Sequence, residues 1–105
     1  MGKNFIGLDT EKTAALASSL NDLLANYQIF YMNVRGYHWN IKGENFFLLH
    51  EKFEELYNDL LLKVDEIAER VLTLGHRPAH AFSTYIETAE VPERKDVSNG
   101  KEAVE

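Results

Sequence analysis

Four side chains able to hold a metal ion fall within one stretch, HEKFEELYNDLLLKVDEIAE, from His50 to Glu69. They are His50, Glu54, Asp65 and Glu69, arranged as two i,i+4 pairs. At about 100° per residue, all four share a strip roughly 100° wide on one helix face. Glu54 and Asp65 are eleven residues apart, or roughly 16 Å at helical rise. One straight helix therefore cannot bring both pairs to the same ion. Two antiparallel copies can, because His50/Glu69 and Glu54/Asp65 share a midpoint between Asp59 and Leu60. A two-fold axis there would set His50 and Glu54 of one chain against Glu69 and Asp65 of the other. A cysteine at Leu60 is then expected to cross-link across the axis.

Imidazole and carboxylate donors without thiolates suit iron, Mn(II) or Zn(II). Carboxylates favour the more highly charged Fe(III), so the set suits a centre that oxidises iron. Each part has a plainer reading. Either pair alone is an ordinary surface pair at helix spacing. Glu51, Glu54, Glu55, Lys52 and Lys63 alone are a solvated charged face. A lone His38 is a hydrogen-bonded core histidine. Their conjunction points to a metal: two pairs on one strip, a common midpoint and a second histidine at one end.

Long helices must position these groups. Asp9 and Thr10 are N-cap candidates, with Glu11 in the first turn. From there to about Ile41, Leu16, Leu20, Leu23, Leu24, Tyr27, Phe30, Tyr31, Val34, His38 and Ile41 recur mostly at spacings of three and four. The break Lys42-Gly43-Glu44-Asn45 follows, with Gly43 suited to a left-handed position and Asn45 to a cap. A second helix is expected from about Phe46 to Leu74, ended by Gly75. Its stripe is Phe46, Leu49, Phe53, Leu56, Tyr57, Leu60, Val64, Ile67, Ala68, Val71 and Leu72. So short a loop makes the two helices antiparallel. His38 and His50 are equidistant from Glu44, which places them level across the turn.

Beyond Gly75 the pattern weakens. His76-Arg77-Pro78 reads as a loop, and His76 and His80 as surface residues. A short helix is expected over Thr84 to about Val91, capped by Ser83. Pro92 to Asn99 is polar and irregular, and Ser98 to Glu105 looks like the start of another helix. Tyr31, Tyr37 and Trp39 are expected in the core. Two such helices cannot bury both apolar faces on each other. Tyr27, Phe30, Phe53 and many leucines should stay partly wet, so the chain should assemble or be a piece of something longer.

Composition narrows the classes. The 105 residues include no cysteine, which excludes disulfides and thiolate metal sites. Apolar runs are too short for a membrane-spanning helix, and MGKNFIGLDT lacks the apolar core of a secretory signal. A cytoplasmic protein with no membrane partner is expected. The formal net charge of -6 speaks against non-specific DNA binding, which relies on Lys and Arg at phosphates.

The run His38-Trp39-Asn40-Ile41-Lys42-Gly43, followed by Leu49-His50 and Glu54, resembles the motif of the Dps family, the mini-ferritins. The run Val64-Asp65-Glu66-Ile67-Ala68-Glu69-Arg70-Val71-Leu72 resembles them too, and the likeness extends from about Leu20 to Val91. It implies an all-α, ferritin-like fold: a long antiparallel hairpin, half of a four-helix bundle, plus a short connecting helix. Residues 1–105 would form a single domain lacking the last two bundle helices. The resemblance further implies a homo-oligomer with a two-fold dimer through the second helix, and a dodecameric shell at full length. It implies Fe(II) oxidation by hydrogen peroxide or oxygen, storage of the Fe(III) product and protection against oxidative stress. His38, His50 and Glu54 would come from one chain, and Asp65 and Glu69 from its partner. Position 54 departs from the family, where Asp is common. Family members that bind DNA often use Lys-rich tails, and this N-terminus offers only Lys3. A non-catalytic helical assembly module and a DNA-protecting module are the alternatives.

Overall fold

The computed structural model describes residues 10–43, 46–98 and 103. Three helices are present among them: α1 (Thr10–Asn40), α2 (Phe46–Thr73) and α3 (Phe82–Thr88). The helix α1 keeps an acidic residue, Glu11, in its first turn, where the helix dipole favours it. The proposed caps Asp9 and Asn45 lie outside the described residues, as does most of the expected last helix.

Glycine geometry sets the ends of the hairpin. Gly43 follows α1 at φ +93° and Gly75 follows α2 at φ +82°, both in the left-handed region. At the second, the Gly75 N–H donates to the Leu72 carbonyl (2.9 Å) and the His76 N–H to that of Val71 (3.2 Å). That is a Schellman close, which satisfies carbonyls left over at the helix end.

The core runs along the α1–α2 seam in three clusters. Val34, Tyr37, Ile41, Phe53, Leu60 and Val97 lie nearest the turn; Leu24, Ala25, Ile29, Val64 and Tyr85 lie in the middle; Ala17, Val71 and Leu74 close the far end. The segment after α2 returns along a second side of α1. Three α1 asparagines stitch it down. Asn21 Oδ1 accepts from the Ala79 N–H (2.9 Å), and its Nδ2 donates to the Arg77 carbonyl (3.2 Å). Asn26 Oδ1 accepts from the N–H groups of Glu90 (2.7 Å) and Val91 (2.9 Å). Buried Asn33 accepts from the Arg94 N–H and donates to the Pro92 carbonyl, both at 2.9 Å. At the end of this path the Lys42 N–H donates to the Ser98 carbonyl at 2.8 Å, joining the segment to the hairpin turn.

Several sequence-based expectations need correction. The short helix spans Phe82–Thr88 rather than 84–91; its N-cap is Ala81, with no side-chain cap, and Ser83 lies inside it. Its place is fixed instead by Tyr85, whose ring is buried and whose hydroxyl donates to the Ala79 carbonyl at 2.5 Å. Phe53 is buried rather than wet, and Trp39 is 60% exposed rather than in the core. Leu60 is buried, so it faces α1 and not a partner. On α1, Phe30 and leucines such as Leu16 and Leu23 are exposed as expected, while Ala17, Ala25 and Ile29, outside the expected stripe, are buried. The cause is the returning segment, which covers a face that a two-helix hairpin alone would leave to water. Among the described residues, no helix is long and apolar enough to cross a membrane.

Candidate metal centre

His38 sits in the last turn of α1 and His50 near the start of α2, so the hairpin sets them level. Their rings stack with centroids 3.6 Å apart and planes 21° apart. Each Nδ1 lies 2.7 Å from the backbone carbonyl oxygen of the other histidine. A carbonyl can only accept, so each Nδ1 carries a proton and donates it. In a neutral imidazole this leaves Nε2 as the lone-pair atom. The reciprocal bonds therefore select the tautomer that a metal ligand needs and hold both rings in place, as supporting bonds do around metal-binding histidines.

Glu54 stands one turn beyond His50. Its Oε1 lies 3.7 Å from His38 Nε2, and its side chain is 52% exposed. Ligand-capable atoms of His38, His50 and Glu54 all lie within 4.8 Å of one another. Two metal–ligand bonds of about 2.1 Å span at most about 4.2 Å, so the group is already close to coordinating distance. Two imidazole nitrogens and one carboxylate, open on one side, form the donor set typical of non-haem Fe(II).

Aromatic groups brace the pair. The Phe46 ring stacks on His50 at 5.1 Å and 24°, and Tyr57 meets His38 edge-on at 5.2 Å and 77°. Behind Tyr57 lies Arg35, with its guanidinium carbon 4.7 Å from the Tyr57 centroid, 5.1 Å from that of Trp39 and 5.9 Å from that of Tyr31. Its Nη1 also donates to the Tyr31 hydroxyl at 2.5 Å.

Asp65 and Glu69 are not part of this cluster. Both are exposed on α2. They follow Glu54 by eleven and fifteen residues, or roughly 16 and 22 Å along the helix. Sequence reasoning missed Arg35, Tyr57 and Phe46 as neighbours of the site. The signal was spacing: Phe46 and His50 are four residues apart, His50 and Tyr57 seven, and Arg35 and His38 three, all repeats that share a helix face.

The ferritin-like domain family model matches residues 17–105. The chain is 47% identical over 91 residues to a DNA protection during starvation protein of Porphyromonas gingivalis, covering 87% of this chain and 57% of that protein. It is 56% identical over 104 residues to an uncharacterised protein of Haemophilus influenzae, covering 99% of this chain and 65% of that one. A crystal structure of a Dps protein from Vibrio cholerae O1, described as a member of a broad superfamily of ferritin-like diiron-carboxylate proteins, superposes with a TM-score of 0.96 at 58% identity. That match covers 98% of this chain and 65% of the other. The chain thus spans less than two thirds of the length of each of these three proteins.

Proposed function

Because this chain belongs to the ferritin-like domain family, with Dps proteins as its relatives, we propose that it is the iron-oxidising part of a Dps-type iron-storage protein. The observation that carries the reading is the His38–His50 pair, held with both Nε2 atoms free for coordination beside Glu54. Iron is the substrate. Two Fe(II) ions each give one electron to hydrogen peroxide. The O–O bond breaks to give two hydroxides; with two further waters the two Fe(III) ions form two units of ferric oxyhydroxide, and four protons are released. Dioxygen is the alternative oxidant. Zn(II) fits the same donors and blocks them without redox chemistry.

Asp65 and Glu69 complete the centre from a second copy. The common midpoint between Asp59 and Leu60 supports this, and so do the exposed apolar residues of α2. Phe47 (84% exposed) and Leu72 (60%) are related by that same midpoint, and Leu61 (46%) lies beside it. Antiparallel pairing would cover all three while joining each His50/Glu54 to a Glu69/Asp65. Further assembly of such dimers into a shell would enclose the ferric product, in the cytoplasm.

The test is to mix the protein with Fe(II) and peroxide and follow ferric absorbance. A His38→Ala, Asp65→Ala double variant should lose the fast phase; wild-type rates in it would overturn the reading. DNA protection is the second reading, favoured by the name of the Porphyromonas relative. The net charge of -6 argues against it. A duplex-DNA mobility shift at low salt that vanishes at high salt would support it.

A further inference from the structure

A second concave site lies well away from the histidine pair. A cavity of about 580 Å³ opens between α1 and the loop that joins α2 to α3. His76, Arg77 and His80 of that loop line it, and Asp22 and Ser18 line it from α1. Asp22 precedes His38 by sixteen residues, or roughly 24 Å along the helix, and no residue lines both this cavity and the metal cluster. The two histidines here are the two that the metal reading leaves unused.

The loop that displays these basic groups is held in shape by its own bonds. The His76 N–H donates to the Val71 carbonyl at 3.2 Å, which fixes where the loop leaves α2. Half-buried Asn21 then grips the loop with both atoms of its amide, accepting from the Ala79 N–H and donating to the Arg77 carbonyl. Pro78, between those two anchors, restricts the backbone further. His80 Nδ1 lies 3.1 Å from the Pro78 carbonyl oxygen, so it carries a proton and donates, and Nε2 is the atom left for a ligand.

A guanidinium beside two imidazoles calls for an oxyanion. Asp22 decides which one. A carboxylate repels an anion that offers only acceptors, but accepts a hydrogen bond from one that keeps an O–H. Sulfate has no such proton at neutral pH. A phosphate monoester gives up its last one with a pKa of about 6. Inorganic phosphate keeps at least one throughout the neutral range. We propose that this cavity binds inorganic phosphate, with Arg77, His76 and His80 on its charged oxygens and Asp22 accepting from its hydroxyl. The proposal stands apart from the ferroxidase reading and needs no metal.

The experiment is calorimetric titration of the full chain, dialysed free of metal, at about pH 7.5, where a monoester is mostly without its last proton. The probes are inorganic phosphate, glucose 6-phosphate and sulfate, and backbone amide NMR locates the binding. Phosphate should bind saturably and shift the amides of Ala79 and His80. The other two anions should bind about tenfold more weakly or worse, the worth of one charge-assisted hydrogen bond. Arg77→Gln keeps the backbone carbonyl that Asn21 holds and should weaken phosphate by about tenfold. Asp22→Asn should strengthen sulfate and so narrow its gap to phosphate, which loss of a merely structural group would not do. Circular dichroism confirms that both variants fold. Absence of saturable phosphate binding overturns the proposal, as does unchanged affinity in Arg77→Gln. Sulfate or glucose 6-phosphate binding as tightly as phosphate in the wild type overturns it too, and so do shifts confined to His38 and His50.

Discussion

At the scale of single residues, side chains here act by holding one another's geometry. His38 is buried and Glu54 is half exposed, so their removal should differ in kind. Glu54→Gln keeps the shape and loses the charge, and should weaken Zn(II) binding while leaving the melting temperature nearly unchanged. His38→Ala removes the proposed ligand, the hydrogen bond that orients His50 and the ring stacked on it. It should lower Zn(II) affinity by at least the roughly 10–100-fold that loss of a supporting bond costs, and also lower stability. Calorimetric titration beside thermal melts checks both. Equal affinity in the wild type and His38→Ala would show that the cluster is not a metal site. Asn33 makes a purely structural contrast. Its buried amide serves two backbone groups of the returning segment, so Asn33→Ala should cost about 2 kcal/mol in urea unfolding and leave Zn(II) affinity unchanged.

At the scale of the elements, the hairpin is what the sequence states most clearly. Continuous three-and-four spacing with no proline, then a break holding Gly43, left one arrangement for α1 and α2. Gly75 was equally legible, and the structure gives its cost a clear meaning. A Cβ there would meet nothing within 4 Å, so any penalty comes from the backbone alone at φ +82°. Gly75→Ala should therefore destabilise by about 1–2 kcal/mol, as a left-handed non-glycine residue does, without moving the core. A loss well above that in chemical denaturation would mean that the Schellman close also orients the segment to α3. The elements beyond Gly75 were less legible for a physical reason. Their position depends on Asn21, Asn26 and Asn33, and an asparagine in an amphipathic pattern reads as solvated until a strand of backbone is seen against it. Tyr85 was hidden in the same way: a short helix without a side-chain cap is placed by the pocket its one buried ring enters. The histidine pair was legible because two histidines level across a turn need only the hairpin to meet. The bracing ring of Tyr57 and the cation of Arg35 needed the actual rotation of the helices.

At the scale of the whole molecule, the chain is a rod of 59 × 23 × 19 Å, too thin to hide all of its apolar residues. They gather on separate sides. Leu16, Leu23 and Phe30 recur every seven residues along one edge of α1, as a seam for other helices would. Phe47, Leu61, Leu62 and Leu72 are exposed on α2, on the side that carries Glu54, Asp65 and Glu69. The second face is the one a two-fold partner would use, and the burial of Leu60 refines how to detect it. Leu60 lies nearest the proposed axis in sequence but faces α1, so a cysteine there would be shielded. Leu61 is one residue away and 46% exposed. In an antiparallel pair centred between Asp59 and Leu60, Leu61 of one copy stands opposite Asn58 of the other. The two copies of Leu61 are then offset by only about 4.5 Å along the helices. Leu61→Cys should form a disulfide-linked dimer under mild oxidation, and Leu60→Cys should not. Phe47→Glu should shift the uncross-linked protein toward monomer by sedimentation, since it sets a charge against Leu72 of the partner. It should also weaken Zn(II) binding, although Phe47 is not a ligand, because Asp65 and Glu69 would arrive only with the second chain. If Phe47→Glu stays dimeric and Leu60→Cys cross-links as well as Leu61→Cys, the axis lies elsewhere and the two carboxylates belong to a different contact.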